Sequence, residues 1–388
     1  MTRPLIYMIA GEPSGDLLGA RLMAGLLEIT GGDVEFAGIG GEAMREMGMP
    51  SLFPQADLAV MGLAEVLPRI PRILKRLNQT MADIAAKQPA AIITIDSWGF
   101  TGRVAKRLKA QGSTVPRIHY VAPMVWAWKE KRVHQLAARV DLLMCLLPNE
   151  PDYFIKAGLA AVHVGHSVLE SGAGRGDAAA FRARYAIPAE APLLCVLPGS
   201  RRSETSRLLP VFGETVTLLA ARYPGLQVVV PTVETVADEV AAEVSSWPLP
   251  VTVVHGTAER YGAFAASRAA LAASGTVALE LALARLPMVI TYRVTALTAF
   301  LIRRLLKVRF ACLLNLLMDR LVVPELIQED CRADRLAPAV AQLMDDGAAR
   351  ETQLAGIGEA LARLGRGEDH PSLHAAREVL RLMEGNQA

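Results

Sequence analysis

The sequence predicts an α/β fold made of two doubly wound parallel sheets in tandem. Short apolar runs recur along the chain and alternate with longer stretches of helical period, which is the pattern of βαβ units. A glycine-rich stretch, SGAGRGD at 171–177, separates two sets of these runs and is typical of a connection between domains. The chain has 388 residues, which is more than a single hydrophobic core usually serves.

Five apolar runs in each half are the candidate strands. In the first half they are Leu5–Ala10, Val34–Ile39, Ala91–Ile95, Ile118–Val121 and Leu142–Leu147. In the second half they are Leu193–Leu197, Gln227–Pro231, Val251–His255, Ala269–Ala273 and Met288–Thr291. After Arg332 the chain is rich in Ala, Leu, Arg and Glu with a helical period. We therefore expect domains at 1–172 and 173–340, followed by helices at 341–388 that pack back toward the first domain.

The composition limits the classes of protein that fit. Hydrophobic residues make up 52% of the chain and charged residues 21%, which indicates a globular protein. No uncharged apolar run reaches the ~20 residues that span a bilayer, and the start lacks a secretory hydrophobic region, so we expect a cytoplasmic protein. The net charge of +2 gives no general attraction to nucleic acid. The four cysteines form no C-x-x-C pair, which favours buried thiols over metal ligands or disulfides.

The stretch SGTVALE at 274–280 has the composition of a phosphate site. Ser274, Gly275 and Thr276 follow a predicted strand and open a predicted helix, where unpaired N–H groups and the helix dipole favour an anion such as a diphosphate. Glu280 lies further into that helix, where its carboxylate could accept hydrogen bonds from ribose hydroxyls. The alternative is an ordinary helix cap followed by an acidic residue.

A second loop of the same kind follows the first strand of the second half. Gly199 and Ser200 predict a tight turn, and the planar guanidinium of Arg201 matches phosphate oxygens. Arg202 and Glu204 are expected at the surface. The alternative is a plain β-turn, although both loops would lie at one edge of one sheet.

Two stretches of the first half carry candidate polar groups. Asp96 directly follows an apolar run, which suits either a general base for a hydroxyl or a helix cap. The opening stretch AGEPSGDLLGARL spaces its glycines as G-x-x-x-G-x-x-x-G, which indicates a turn whose backbone lies close to something else. Asp16 within it is also a candidate helix cap.

Two cationic amphipathic segments, VLPRIPRILKRL at 66–77 and LTAFLIRRLLKVRF at 297–310, are typical either of helices that cover a core or of helices on an anionic bilayer. The candidate membrane contacts are Arg69, Ile70, Arg72, Ile73, Arg76, Phe300, Arg303, Arg304 and Lys307.

Several motifs, in order along the chain, resemble those of the lipid-A-disaccharide synthases. They are AGEPSGDLLGARL, GIGGEAM, LAVMGLAEVL, HYVAPMVWAWKEKRV, VGHSVLE, VLPGSRRSE and SGTVALE. The resemblance implies a GT-B fold, in which two Rossmann-like domains face each other across a cleft. It also implies an inverting transfer of a diacylglucosaminyl group from a UDP-linked donor to diacylglucosamine 1-phosphate, without a metal or other cofactor, on the cytoplasmic leaflet of the inner membrane.

The resemblance also implies roles for particular residues. Asp96 matches the base for the acceptor hydroxyl, Asn315 a polar residue of the active site, and Arg201 a group that stabilises the departing diphosphate. The expected UDP contacts are Gly199, Ser200, Arg201, Ser274, Gly275, Thr276 and Glu280. The expected acceptor contacts are Glu12, Ser14, Gly15, Asp16 and Trp126.

The chain departs from the family pattern after Asp96. Gly99 stands where the family pattern D-x-P-D-F-N has a second acid. A UDP-N-acetylglucosamine 2-epimerase would keep the nucleotide loops but needs no lipid surface, and a module that only binds a nucleotide sugar or lipid would need no base. The sequence is silent on a homodimer and on acyl-chain length.

Overall fold

The computed structural model of the chain describes residues 3–58, 70–123, 131–295, 299, 304, 309–367 and 369–385. They form two compact units. The first contains Met1–Ser167 and Gly367–Ala388, and the second contains Val168–Arg366. The chain thus passes from the first unit to the second between Ser167 and Val168. We expected this boundary between 172 and 173.

The glycine-rich stretch at 171–177 is a packed part of the second unit rather than a connection between domains. A Cβ atom at Gly176 would lie 1.9 Å from the carbonyl oxygen of Tyr261, and one at Gly174 would lie 2.8 Å from that of Leu283. These glycines therefore allow close packing against the helices that carry Tyr261 and Leu283. Glycine composition alone does not distinguish such packing from a mobile linker.

The first unit is built on a six-stranded parallel sheet with the order β2-β1-β3-β4-β5-β6. The strands are β1 (Leu5–Ala10), β2 (Glu35–Ile39), β3 (Ala91–Ile95), β4 (Arg117–Tyr120), β5 (Leu142–Cys145) and β6 (Ala160–His163). The helices are α1 (Pro13–Thr30), α2 (Glu42–Glu46), α3 (Ile70–Lys87), α4 (Trp98–Ala110), α5 (Lys131–Ala137), α6 (Pro151–Ile155) and, from the end of the chain, α15 (Pro371–Gly385). Five of these strands coincide with predicted runs, and β6 is an addition to them.

The second unit has a six-stranded parallel sheet with the order β12-β11-β10-β7-β8-β9. Its strands are β7 (Leu193–Leu197), β8 (Gln227–Thr232), β9 (Val251–His255), β10 (Ala269–Ala273), β11 (Met288–Tyr292) and β12 (Glu325–Ile327). Its helices are α7 (Ala178–Arg184), α8 (Arg202–Arg222), α9 (Ala237–Val244), α10 (Thr257–Ala266), α11 (Val277–Leu283), α12 (Leu313–Met318), α13 (Ala333–Met344) and α14 (Ala348–Arg363). The prediction of two doubly wound parallel sheets is confirmed.

The closing helices divide between the units instead of packing together on the first one. Gln353 of α14 accepts a hydrogen bond from the N–H of Met288 at 2.7 Å and donates one to the carbonyl of the same residue at 3.0 Å. This buried amide ties α14 to β11 of the second unit. Only α15 joins the first unit, where Gly25 of α1 lets the backbone of Ser372 approach closely.

The strand orders decide where a ligand can enter each unit. In the first sheet β1 lies between β2 and β3, and in the second β7 lies between β8 and β10. The strand order therefore reverses between β1 and β3 in the first sheet and between β7 and β10 in the second. A crevice forms at such a point, beyond the carboxyl ends of the strands. Across the described residues, no helix has the length and apolar character that a membrane crossing requires.

His119 of β4 makes the stability of the first unit depend on pH. Its ring is buried beside Thr94, 2.8 Å from the hydroxyl oxygen, and burial lowers its pKa from 6.5 to about 3. Below pH 6.5 the His119 imidazole binds a proton in the unfolded chain but stays neutral in the folded chain. Stability is therefore lost as pH falls from 6.5 toward 3, by up to about 1.4 kcal/mol per pH unit.

We expect His119→Asn, which keeps a donor near Thr94 and does not titrate, to remove that part of the pH dependence. The measurement is urea unfolding of the variant and the wild type in matched buffers between pH 5 and 6.5. The free energy of unfolding should fall less steeply with decreasing pH in the variant. Parallel slopes would contradict a buried neutral imidazole.

Candidate functional site

The second unit contains a cavity of about 630 Å³ at the carboxyl ends of its central strands. Its lining includes the loops that follow β7, β8, β9 and β10. All seven residues that the sequence assigns to a nucleotide lie in this lining: Gly199, Ser200, Arg201, Ser274, Gly275, Thr276 and Glu280. Residues distant in the chain meet here because β7 and β10 are neighbours in the sheet.

The loop after β7 is fixed by a buried carboxylate. Glu204 accepts hydrogen bonds from the N–H of Ser200 at 3.0 Å, the guanidinium of Arg201 at 3.3 Å and the hydroxyl of Tyr292 at 3.3 Å. Gly199 has a φ of 110°, and a Cβ there would lie 2.5 Å from Glu204 Oε2. The expectation that Glu204 lies at the surface is wrong, because its side chain fills the turn. Arg201, by contrast, keeps a side chain that is 60% exposed in the cavity wall.

The loop after β10 presents backbone donors to the cavity. The Ser274 hydroxyl donates to the carbonyl of Ala311 at 3.3 Å. Within the described ranges, no acceptor is found for the backbone N–H groups of 275, 276 and 277, which lie at the start of α11. A Cβ at Gly275 would meet no protein atom within 4 Å. The loop can therefore accept an anion without rearranging its own hydrogen bonds.

Glu280 is already engaged by two neighbours. Its Oε1 atom accepts hydrogen bonds from the guanidinium of Arg260 at 3.0 Å and from the hydroxyl of Tyr261 at 3.2 Å. Arg260 also lines the cavity, as do Thr232 and His255 at the ends of β8 and β9. Sequence reasoning missed these three, although the rule that ligands collect at carboxyl strand ends applies to β8 and β9 as well.

Asn315 does not line this cavity. It is fully buried in α12, its Oδ1 accepts from the N–H groups of Val322 and Val323, and its Nδ2 donates to the carbonyl of Val323 and to Glu325. The expected role of Asn315 as a catalytic residue is corrected accordingly. Its amide has no hydrogen-bonding capacity left for a substrate.

In the first unit, Asp96 and Ser97 form a strained turn at the end of β3. Both have positive φ, 50° and 45°, which is uncommon for residues other than glycine and often marks functional sites. The backbone of Asp96 is held by Tyr120 and by the hydroxyl of Thr101. The Ser97 hydroxyl donates to Glu12 at 3.2 Å, so the predicted acceptor residue Glu12 does lie beside the Asp96 turn.

Asp16 has a structural task instead of a place in an acceptor site. Its buried carboxylate accepts the N–H groups of Gly41, Ala43 and Met44 at 2.7, 2.9 and 3.1 Å and thereby holds the start of α2. The helix it caps is α2, not its own helix α1. Ser14 is exposed on the same turn.

The glycines of the opening stretch approach other parts of the protein. A Cβ at Gly11 would lie 2.8 Å from Ser97 Oγ, and one at Gly19 would lie 2.6 Å from the sulfur of Met44. Gly15 is buried and faces Ile95 at ordinary distances. The glycine spacing thus lets α1 approach the β3 turn and the α2 helix.

The cationic segments are only partly described. In α3, Arg76 pairs with Asp57 at 2.5 Å and lies 4.6 Å over the ring of Phe53, so it is a structural residue rather than a membrane contact. Ile73 packs against the core, while Ile70, Arg72 and Arg304 are exposed. Five other predicted residues lie outside the described ranges: Arg69, Trp126, Phe300, Arg303 and Lys307.

Comparison with known proteins identifies the family whose motifs the sequence resembles, over nearly the whole chain. The family model described as lipid-A-disaccharide synthetase matches residues 6–376. Lipid-A-disaccharide synthase of Paramagnetospirillum magneticum is 61% identical over 97% of this chain and 97% of its own. That of Rhodospirillum centenum is 54% identical over 98% of this chain and 94% of its own.

Solved structures with low sequence identity share the fold. UDP-GlcNAc 2-epimerase from Neisseria meningitidis, bound to UDP-GlcNAc, covers 98% of this chain and 100% of its own with a TM-score of 0.63 and 12% identity. MurG of Acinetobacter baumannii covers 97% of this chain and 99% of its own with a TM-score of 0.56 and 14% identity. The GT-B fold class predicted for this chain is confirmed.

Removing the Asp16 carboxylate should destabilise the first unit without any ligand present. Asp16→Ala leaves three backbone N–H groups near α2 without their charged acceptor, which should cost about 3 kcal/mol. Ser14→Ala, on the same turn but exposed, should change stability by less than about 0.5 kcal/mol. Urea unfolding of both variants measures the difference, and equal stabilities would contradict the capping role of Asp16.

Proposed function

The chain belongs to the lipid-A-disaccharide synthase family, and we propose that it joins UDP-2,3-diacylglucosamine to 2,3-diacylglucosamine 1-phosphate. As a member of that family it is a glycosyltransferase of the hexosyltransferase class. The products are the lipid A disaccharide 1-phosphate and UDP, with inversion at the anomeric carbon of the donor. The observation that carries the proposal is the cavity of the second unit, where the seven residues expected to bind UDP lie together.

In this proposal the second unit holds the donor nucleotide. The diphosphate is bound by the N–H groups of 275–277 and by the exposed guanidinium of Arg201. Glu280 accepts hydrogen bonds from the ribose, and Arg260 and Tyr261 keep its carboxylate in place. The UDP-GlcNAc of the Neisseria epimerase, on a similar fold, supports a nucleotide sugar as the ligand class.

The same contacts explain the chemistry of the leaving group. A glycosyl transfer passes through a transition state that resembles an oxocarbenium ion while negative charge grows on the departing diphosphate. Donors that are already oriented toward that charge stabilise the transition state more than the ground state. The loop after β10 and Arg201 supply such donors, and UDP leaves without a protein acid.

Asp96 of the first unit is the general base of the proposal. The 6-hydroxyl of the acceptor must lose its proton as it attacks the anomeric carbon, and a carboxylate at hydrogen-bonding distance accepts it. The positive φ of Asp96 and Ser97 supports a functional turn, since strain of this kind persists only where the surrounding structure enforces it. Glu12, whose carboxylate accepts the Ser97 hydroxyl of this turn, is a candidate contact for the acceptor sugar.

The epimerase alternative is not favoured. The two epimerase structures share the fold at 12% identity, and likeness at that level says nothing about the reaction. The relatives with 54 and 61% identity are synthases. A module that only binds its ligand does not account for that identity along the whole chain.

We further propose that the protein works on the cytoplasmic face of the inner membrane as a peripheral protein. Both proposed substrates carry acyl chains, and the first turns of α3 expose apolar side chains, Ile70 at 42% and Leu74 at 46%. Arg72 nearby is 62% exposed and lies 3.5 Å from Asp57, which Arg76 also pairs with. Two guanidinium groups share this one carboxylate, so the group keeps a positive charge that anionic headgroups attract.

The decisive assay is incubation of the protein with both acylated substrates, with mass spectrometry of the disaccharide. Asp96→Asn should lower turnover by ~10²- to 10⁴-fold because the base is lost. Binding of UDP, measured by calorimetry, should stay at the wild-type level. Free UDP without disaccharide from the wild type would refute the transferase, and full turnover by the variant would refute the base.

Loss of the exposed apolar side chains of α3 should weaken membrane binding. Ile70→Gln with Leu74→Gln removes two half-exposed side chains, which should reduce binding to phosphatidylglycerol vesicles by about tenfold. Leu218→Gln in α8, where the leucine is 50% exposed, is the matched control and should bind as the wild type does. Equal loss in both variants in a vesicle sedimentation assay would contradict α3 as the contact.

A further inference from the structure

Glu325, the first residue of β12, anchors the segment that precedes α12. Its Oε2 atom accepts the N–H of Ala311 at 2.8 Å, and its Oε1 atom accepts the N–H of Cys312 at 3.0 Å. Oε1 also accepts a hydrogen bond from Asn315 Nδ2 at 2.6 Å. One carboxylate therefore decides where the backbone of 311 and 312 lies.

Asn315 in turn fixes the orientation of Glu325. Its Oδ1 receives the N–H groups of Val322 and Val323 at 2.7 and 2.9 Å, and its Nδ2 donates to the Val323 carbonyl at 2.8 Å as well as to Glu325. If the Asn315 amide were flipped, its N–H₂ group would face the N–H groups of Val322 and Val323. Nδ2 therefore points to Glu325 and donates to it. The cluster is a rigid clamp because every hydrogen-bonding position of a fully buried side chain is used.

The clamp reaches the nucleotide cavity through Ala311. The carbonyl of this residue accepts the hydroxyl of Ser274 at 3.3 Å, while its N–H is held by Glu325. Ser274 opens the loop after β10 and lines the cavity. A displacement of Glu325 would move Ala311 and with it the acceptor that orients Ser274.

We propose that Glu325 is a positioning residue for the phosphate loop, acting through Ala311 on Ser274, and that Asn315 acts only by holding Glu325. The inference rests on the proposed function, since it assumes that the loop after β10 binds the diphosphate of the donor. Neither residue touches substrate. Both govern affinity for the nucleotide rather than for the acceptor.

Exchanging the donor and acceptor roles of the pair tests this network. Asn315→Asp replaces the donating Nδ2 with an oxygen, so two acceptors face each other at Glu325 and at the Val323 carbonyl. Glu325→Gln replaces one accepting oxygen with an N–H₂ group, so two donors face each other at a backbone N–H. Each single variant should raise the Kd for UDP and the KM for the donor by about tenfold or more. The double variant places an N–H₂ group opposite a carboxylate, so it should recover part of this loss.

A buried amide elsewhere in the same unit separates positioning from general damage. Gln353→Glu replaces a buried amide with a carboxylate where Gln353 of α14 bonds to the backbone of Met288 in β11. Gln353 does not line the nucleotide cavity. The substitution should lower the melting temperature and leave the Kd for UDP of the folded protein unchanged. All variants should keep the wild-type KM for the acceptor.

The outcomes distinguish this inference from the proposed function. Wild-type protein that binds no UDP or forms no disaccharide would refute the proposed function itself. If the wild type is active, any one of three results would overturn the positioning role. They are a wild-type Kd for UDP in both single variants, a double variant that binds UDP no better than the single variants, and an equal rise of this Kd in Gln353→Glu. If a single variant does not fold, the comparison of the double variant with Gln353→Glu decides.

Discussion

The candidate nucleotide site depends on one topological constraint, the position of β7 between β8 and β10. All strands of a parallel sheet end at the same edge, but their connections cross to opposite faces only where the strand order reverses. The loops after β7 and β10 are therefore separated by a crevice instead of covering each other. Gly199 to Arg201 and Ser274 to Thr276 become neighbours through this order alone, and the cavity of about 630 Å³ follows from it.

Carboxylates that accept backbone N–H groups stabilise the loops at these sheet edges. Asp16 holds the start of α2, Glu204 holds the turn at Ser200, and Glu325 holds Ala311 and Cys312. Loop N–H groups have no strand partner, and leaving them unpaired when buried costs free energy, so a charged acceptor stabilises each loop in one conformation. For the Asp96 side chain no such donor is found in the described part of the chain.

Sequence reasoning located the loops more reliably than it assigned their polar residues. A short apolar run followed by Gly, Ser and Arg places a turn at a strand end, because that information is local. The roles of Asp16 and Asn315 were not predicted from the sequence. The hydrogen-bond partners of Asp16 lie 25 or more residues away in the chain, and Asn315 bonds to the loop that follows its helix. Glu204 was taken for a surface residue because nothing local reveals that Tyr292 covers it.

The sequence by itself determined the two doubly wound sheets, the family and two of the loops that line the candidate nucleotide cavity, because hydrophobic period and motif composition are properties of neighbouring residues. The tertiary structure decided which carboxylates are committed to backbone amides and which glycines make room for the protein's own atoms, as Gly11 does for Ser97. Those assignments depend on distances between segments far apart in the chain. Only the packing of helices against the sheets sets such distances.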